Sequence, residues 1–485
     1  MPKFSTAGRA AFLLSLLLLP AVFFAPAFQQ NASAQSAEKK PVPTPTLPDP
    51  PPEPSPSPSA TTPVTTGKTP IIIVPGLIGS ELVNKSTGEG VWFLLQRAKN
   101  DDLRLPVSPN LARNRDNLVP RDILRNVRLI RFLPEIQIYD RLIEALKANG
   151  YTEGNWDAPA SATDTFYVFP YDWRRDNVET ARLLTRRIQT LKTKLKRPNL
   201  KFNVIAHSMG GLVSRYAAMY GDADLPADSL RRPRPNWSGA RHFSKIFLVG
   251  TPNEGSLPSL NSLVNGFSFL GIGGLNLPFV QNLTKFDLFT IPAIYQLLPH
   301  ADSARVFDEN LQPLKIDVYN PATWEKYGWA AYLDKGFEKN FAAAEQKNAR
   351  AYLRVVLARA KRFQDALRAT AVTKSPVPVY FFGSECKPTL DGMVIYRDAK
   401  KNVWRTIFKP DSFERADGTK VSEKDLEPLL YSPGDGTVTK RSFLTAAVRN
   451  ISDSEQTSFP VCEEHRNLTG NPEIQKNLLA ILDEK

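Results

Sequence analysis

Cysteine and histidine are scarce in this chain: 485 residues hold two of the first and four of the second. Cys386 and Cys462 allow one disulfide at most, and whether they pair or stay as buried thiols is open in the sequence. With four histidines, any chemistry that needs an imidazole base has few places to find one. After residue 28 no apolar run is long enough to span a bilayer. No cysteine follows the one early run, which excludes lipid attachment there. Acidic residues are also in deficit, 49 against 62 Lys and Arg, for a formal net charge of +13. No nucleic-acid-binding motif accompanies that charge, so nucleic acid is set aside as a partner. An anionic membrane or lipid surface fits it better, with plain solubility as the other use. No residue pattern calls for a cofactor or a metal.

What is present begins with an export signature. Lys3 and Arg9 precede an apolar run from Ala10 to Phe28, and Ala32-Ser33-Ala34 forms a small-residue site before Gln35. Residues 1–34 read as a signal peptide cleaved after Ala34, which makes the expected location periplasmic or extracellular. An uncleaved anchor is the alternative, although Pro20 and Pro26 interrupt the run. Residues 35–69 carry eleven prolines between Pro41 and Pro63, mixed with Ser and Thr, an extended linker that cannot bury a core. The folded part is expected over 70–485.

Short apolar runs alternate there with helical patterns. Strands are expected at Ile71–Val74, Phe166–Phe169, Phe202–Ile205, Lys245–Val249 and Val377–Phe382. Helices are expected at Ile138–Ala148, Val178–Lys194, Leu212–Tyr220 and Pro472–Leu482. This rhythm predicts an α/β protein with a mostly parallel sheet covered by helices on both faces. Two regions break it. Between Val91 and Pro134 no alternation is visible, and Arg113, Arg115, Arg121, Arg125, Arg128 and Arg131 are interleaved with aliphatics. We read 91–134 as a lid or membrane-binding region. Residues 253–376 form an insertion, uncharged from Gly255 to Thr284 and ending in an amphipathic helix over Lys347–Ala369 with a basic face. It follows the C-terminal end of a strand, where open α/β sheets bind ligands, so it should form a helical cap.

The chemistry centres on Ala206-His207-Ser208-Met209-Gly210. A serine between a strand end and a helix start, with small residues two places either side, has the pattern of a nucleophile elbow. Its hydroxyl needs a base, and the base needs an orienting acid. His207 adjoins the serine and should point elsewhere; His242 precedes a strand and falls at the wrong sheet edge; His300 lies in the insertion, before every strong acid candidate. His465 follows them, and the chain order Ser, Asp, His selects it. Asp435, framed by Gly434 and Gly436, is the preferred acid, with Glu385 after the 377–382 strand as its rival. The N–H groups of Leu77, in the glycine-flanked loop after the first strand, and Met209 are the expected oxyanion donors.

These blocks resemble the lecithin:cholesterol acyltransferase family, which includes lysosomal phospholipase A2 and phospholipid:diacylglycerol acyltransferase. The resemblance rests on P-G-L-I-G-S-E-L at 75–82, P-Y-D-W-R at 170–174, A-H-S-M-G-G at 206–211, G-T-P-N-E-G-S at 250–256, G-D-G-T-V at 434–438 and H-R-N-L at 465–468. It implies an α/β-hydrolase fold and acyl transfer from a phospholipid or other lipid ester through an acyl-serine. Ser208, Asp435 and His465 take the triad positions, and Asp172 and Arg174 support the site. A mutual ion pair or a helix cap is the plainer role for those last two. The elbow opens with Ala206 where the family mostly has Gly, and 91–134 lacks the cysteine pair that closes a lid loop in the animal enzymes. The expected activity is a lipid O-acyltransferase with accompanying phospholipase activity. A pure serine lipase or esterase is the alternative, and an inactive binding module of the same fold the third reading.

Overall fold

Apolar runs with no alternation become strands buried on both faces of a parallel sheet. In a computed structural model describing residues 67–94, 102–127, 136–226, 233–268, 282–300, 303–370, 373–444 and 457–484, five such strands, flanked by more exposed edge strands at 152–153 and 458–461, make the seven-stranded central sheet. The seven are β1 (Ile71–Val74), β2 (Thr152–Glu153), β3 (Thr165–Val168), β4 (Phe202–His207), β5 (Phe243–Val249), β6 (Val379–Ser384) and β7 (Ser458–Val461). Their order is β7-β6-β5-β4-β1-β3-β2, and every neighbouring pair is parallel. From β1 the chain builds one way to β3 and the other way through β4 to β7. The order therefore reverses between β1 and β4, where open sheets leave a crevice for ligands.

The period-2 alternation of the strands sends their side chains into two cores. Ile71, Ile73, Phe166, Ile205 and Phe247 pack with α1 (Asp140–Ala148) and the closing helix Pro472–Asp483. Ile72, Val74, Val204, Ala206 and Leu248 pack with α2 (Asn177–Lys194) and α3 (Met209–Tyr220). Helix α2 starts where Asp176 accepts the Val178 and Glu179 N–H groups, and Gly221 at φ 60° ends α3. Together with the elbow described below, this is the α/β-hydrolase fold.

The expected strands and helices lie within a few residues of their observed bounds. The calmer-looking stretch after β1 does not: Ser80–Asn84, Gly90–Trp92 and Leu118–Ile123 form a three-stranded antiparallel sheet. Register shifts interrupt it, and Pro120 sits inside its last strand, so no clean alternation reaches the sequence. Three of its arginines meet carboxylates, some within the arm and some in the body: Arg115 pairs with Glu179, Arg121 with Glu81, and Arg125 with Asp122 and Glu153. Arg128 and Arg131 lie outside the described residues, as do the export signature and nearly all of the linker.

After β5 the insertion folds mainly as helices, short ones beginning with α4 (Leu257–Asn265) and then the 26-residue α5 (Ala343–Arg368). Helix α5 starts four residues before the expected position, and it buries Leu353, Val356, Ala360, Phe363 and Leu367 as anticipated. Its basic face is largely paired: Arg350 with Glu325, Arg359 with Asp176 and Asp224, Lys361 with Asp365. The uncharged segment is described only at its two ends, since 269–281 lie outside the described residues. The insertion does not close on itself. Arg305–Phe307 joins Gly392–Asp398 and Val403–Ile407 in one sheet, so a second excursion after β6 completes it. Among the described residues, no helix is long and apolar enough to cross a membrane.

Candidate active site

At the end of β4 the backbone turns so sharply that Ser208 adopts φ 52° and ψ −126°, outside the usual range for a residue with a Cβ. The turn needs bare backbone around it. A Cβ on Gly210 would lie 2.5 Å from the Val74 and Pro75 carbonyl oxygens, and one on Gly76 would lie 2.9 Å from the Ser208 Cβ. In return the hydroxyl stands at the switch point of the sheet, at the start of α3.

Three side chains from distant parts of the chain then align. His465 Nε2 lies 2.9 Å from Ser208 Oγ, and His465 Nδ1 lies 2.7 Å from Asp435 Oδ2. The carboxylate can only accept, so Nδ1 carries the proton and Nε2 is left to accept from the serine. Asp435 is buried, and its other oxygen accepts the Thr437 and Val438 N–H groups at 2.9 and 2.6 Å. The His465 N–H donates to the Asp435 carbonyl at 2.9 Å, fixing the two loops together. Glu385, the rival acid, pairs instead with Lys440 at 2.5 Å. His300 faces Asp365 and His242 faces Lys192, both away from the serine.

Met209 occupies the first position of α3, where a helix N–H has no acceptor within its own helix. Leu77 is in the turn Gly76–Gly79, closed by the Gly79 N–H donating to the Gly76 carbonyl at 3.1 Å, and Gly76 abuts Ser208. Asp172 and Arg174 form the plainer arrangement, an ion pair of 2.9 Å. Arg174 is fully buried and also holds Asp116 at 2.6 Å and the Leu103 carbonyl. The pair therefore anchors the antiparallel arm to the end of β3 and does not touch the serine.

Several residues of the site escape a sequence reading. The loop after β1 is held by buried aromatic heads: Tyr171 Oη donates to the Pro75 carbonyl (2.7 Å), Trp92 Nε1 to that of Ile78 (2.9 Å), and Trp173 Nε1 to that of Ser80 (3.2 Å). Tyr171 and Trp173 thus face the loop while Asp172 and Arg174 face the arm, an alternation the motif alone does not reveal. Ile78 is held at φ 59°, a strained value for a β-branched residue, in the same pinned turn.

His207 points away from Ser208, as expected, and its ring is taken up by other partners. Its ring centroid is 5.0 Å from that of His465, and its Nε2 lies 3.1 Å from the His465 carbonyl oxygen. The cause is strand alternation, which puts His207 on the same face as Ile205, beneath the His465 loop. Burial, with the nearby His465, pushes its pKa down to about 3, so the ring is neutral.

Two further contacts brace the site. Cys386 and Cys462 form a disulfide between the ends of β6 and β7, three residues before His465. Arg215 of α3 is buried with no carboxylate partner among the described residues; it donates to Asn253 Oδ1 at 2.8 Å and to the Leu367 carbonyl at the end of α5 at 2.7 Å. Burial lowers its pKa to about 10. Among the described residues, no cluster of His, Cys, Asp and Glu is arranged to hold a metal ion.

The lecithin:cholesterol acyltransferase family model matches residues 130–447, a span that holds Ser208 and Asp435 and stops short of His465. Among solved structures, the Tle4–Tli4 complex is similar at 12% identity with a TM-score of 0.50, over 85% of this chain and 98% of that one. The mature lipase BlEst2 of Bacillus licheniformis is similar at 12% identity and a TM-score of 0.34, over 86% and 93%. EstA of Clostridium botulinum gives 13% and 0.33, over 87% and 88%. At 12% identity the likeness to the Tle4–Tli4 complex speaks for the fold alone. No curated protein matches the chain.

Proposed function

Since the chain belongs to the lecithin:cholesterol acyltransferase family, we propose that it moves a fatty acyl group from a glycerophospholipid, through acyl-Ser208, to a lipid hydroxyl, with phospholipase activity beside it. The observation that carries this reading is the hydrogen-bonded line from Ser208 through His465 to buried Asp435. His465 Nε2 takes the Ser208 proton as Oγ attacks the ester carbonyl, and Asp435 stabilises the imidazolium that results. The Leu77 and Met209 N–H groups receive the charge of the tetrahedral oxyanion. When the carbon–oxygen bond breaks, the lysophospholipid alkoxide leaves with the proton from His465. An acceptor hydroxyl then gives its proton to His465 and attacks the acyl carbon. Ser208 leaves as alkoxide and recovers that proton, so no cofactor is consumed. Water in place of the alcohol gives free fatty acid by the same steps.

The same reading puts the enzyme in an exported compartment, at an anionic phospholipid surface. The charged start, apolar run and Ala32-Ser33-Ala34 site support export, the disulfide fits an oxidising compartment, and the positive net charge supports the surface. Incubation with a labelled phospholipid, with and without a long-chain alcohol or diacylglycerol, tests the transfer. A labelled acyl ester of the acceptor is the expected product. Free fatty acid alone, under every acceptor, would leave the hydrolase. Rapid labelling of Ser208 by a fluorophosphonate tests the activated serine itself, and an unreactive Ser208 would leave a binding module.

A further inference from the structure

Beneath the serine runs a second line of hydrogen bonds that the reaction described above does not use. The Gly76 N–H donates to Tyr139 Oη at 2.9 Å. Tyr139 Oη lies 2.9 Å from His207 Nδ1, and His207 Nε2 lies 3.1 Å from the His465 carbonyl oxygen. The directions are forced. A carbonyl only accepts, so His207 Nε2 carries the proton; the neutral ring then accepts at Nδ1, and Tyr139 must donate its hydroxyl proton there. The phenol oxygen in turn accepts from Gly76. Every donor points the same way, from the loop that follows β1 to the backbone that carries the base.

We propose that Tyr139 and His207 are positioning residues that lock the Leu77 oxyanion loop and the His465 backbone into one register. The proposal rests on reading Ser208 as the nucleophile. Both side chains are buried, Tyr139 at 1% and His207 at 7% exposure, so water cannot stand in for a lost partner. The two ends of the line matter to the same reaction step: Gly76 precedes the expected oxyanion donor Leu77, and the carbonyl belongs to the residue whose imidazole faces Ser208. The rings meet edge to face, with centroids 5.7 Å apart for Tyr139 and His207. Neutral His207 is required throughout: a charged ring would present a proton to Tyr139 at Nδ1 and reverse that bond. Burial keeps it neutral down to about pH 3, and it pushes the Tyr139 hydroxyl well above its ordinary value, so this proton stays in place.

The test uses the full chain and four variants, Tyr139→Phe, His207→Gln, His207→Phe and the double variant Tyr139→Phe/His207→Phe. The readouts are turnover of a short-chain chromogenic ester, fluorophosphonate labelling of Ser208, and melting temperature. Tyr139→Phe is expected to lower kcat and the labelling rate on the order of ten- to a hundredfold, with KM little changed. His207→Gln keeps a donor and an acceptor and should recover part of the activity that His207→Phe loses. The double variant should be hardly worse than the worse single one, because a line broken once is already broken. Labelling at the wild-type rate in folded Tyr139→Phe would overturn the proposal, and so would independent, multiplying losses in the double variant. Should a variant melt below the assay temperature, labelling at a lower temperature gives the same readout. Failure of wild-type Ser208 to react would sink the nucleophile reading instead, so the two failures are told apart.

Discussion

The two halves of the site are built in different ways. The nucleophile half comes from neighbouring regular structure: β1 and its pinned loop, the adjacent strand β4, the elbow and α3, buried and braced by aromatic heads. The acid and base half hangs on two loops. Asp435 follows a four-residue strand, Tyr431–Gly434, and His465 opens a six-residue 3₁₀ helix. The bonds that steady those loops include the disulfide, the Glu463 N–H on Ser384 Oγ at 3.1 Å, the His465 N–H on the Asp435 carbonyl, and His207 Nε2 on the His465 carbonyl. The contrast sets a strained nucleophile in a frame of regular structure against an acid and a base carried on loops and held there by long-range bonds.

The sharpest break in the comparison is Ser208→Ala. It should reduce turnover of a chromogenic ester by about a millionfold, while a calorimetric melt stays nearly unchanged, because the elbow already accommodates a Cβ. Retained activity would mean the serine is not the nucleophile. Next is Asp435→Asn, which keeps the shape of the loop and spoils the His465 tautomer. Its kcat should fall by about 10⁴, with a small change in KM. A loss of similar size in KM would point to substrate contact instead.

The third test bears on the loop-borne half alone. Replacing Cys386 and Cys462 by Ser should cost about 2–5 kcal/mol of stability in denaturant melts. Fluorophosphonate labelling of Ser208 should slow as well, since the base is then less well held. Unchanged labelling at a temperature where the variant is folded would show that the bonds around Asp435 suffice.

The smallest effect concerns pH. His207 and His242 both have pKa values pushed down by burial, to about 3 and about 4. Each is therefore protonated more readily in the unfolded chain, near its ordinary value of about 6.5. Their contribution is fully present above that pH and is lost as pH falls through the window toward the folded values. Stability should drop by about 1.4 kcal/mol per pH unit for each fully titrating histidine between roughly pH 6 and 4. His207→Gln should flatten that slope by one proton, measured as urea melts at several pH values. An unaltered slope would mean that His207 is charged in the folded protein.

The same contrast explains what the sequence could reveal. Ser208 and its glycines are contiguous, and their strand is a solid apolar run, so strand, turn and nucleophile are legible together. Asp435 and His465 were reached by chain order and glycine framing, which select residues without giving any geometry. That His207 turns away from Ser208 is legible from adjacency, but its partners, Tyr139 and the His465 carbonyl, lie 68 and 258 residues away and leave no local signal. The antiparallel arm and the second excursion at 387–434 were not legible at all. Their strands are short, bulged or interrupted by proline, and their partners lie far away in sequence: Arg305–Phe307 pairs with Gly392–Val394. The pairing of Asp172 with Arg174 is legible from their place in one motif, yet Asp116, the third member, has no local signal.

Arg215 divides the molecule into parts that can travel and parts that cannot. Its positive charge finds the carbonyl end of α5 where most buried guanidinium groups find a carboxylate. Sliding or lifting α5 would strand that charge in the interior, at a cost of several kcal/mol. Tyr220 adds a second rivet, donating to the Ala366 carbonyl at 2.8 Å. The nucleophile helix and the longest cap helix therefore move as one piece. Whatever clears a path for a long acyl chain has to swing elsewhere, and α5 serves as the fixed wall against which it swings.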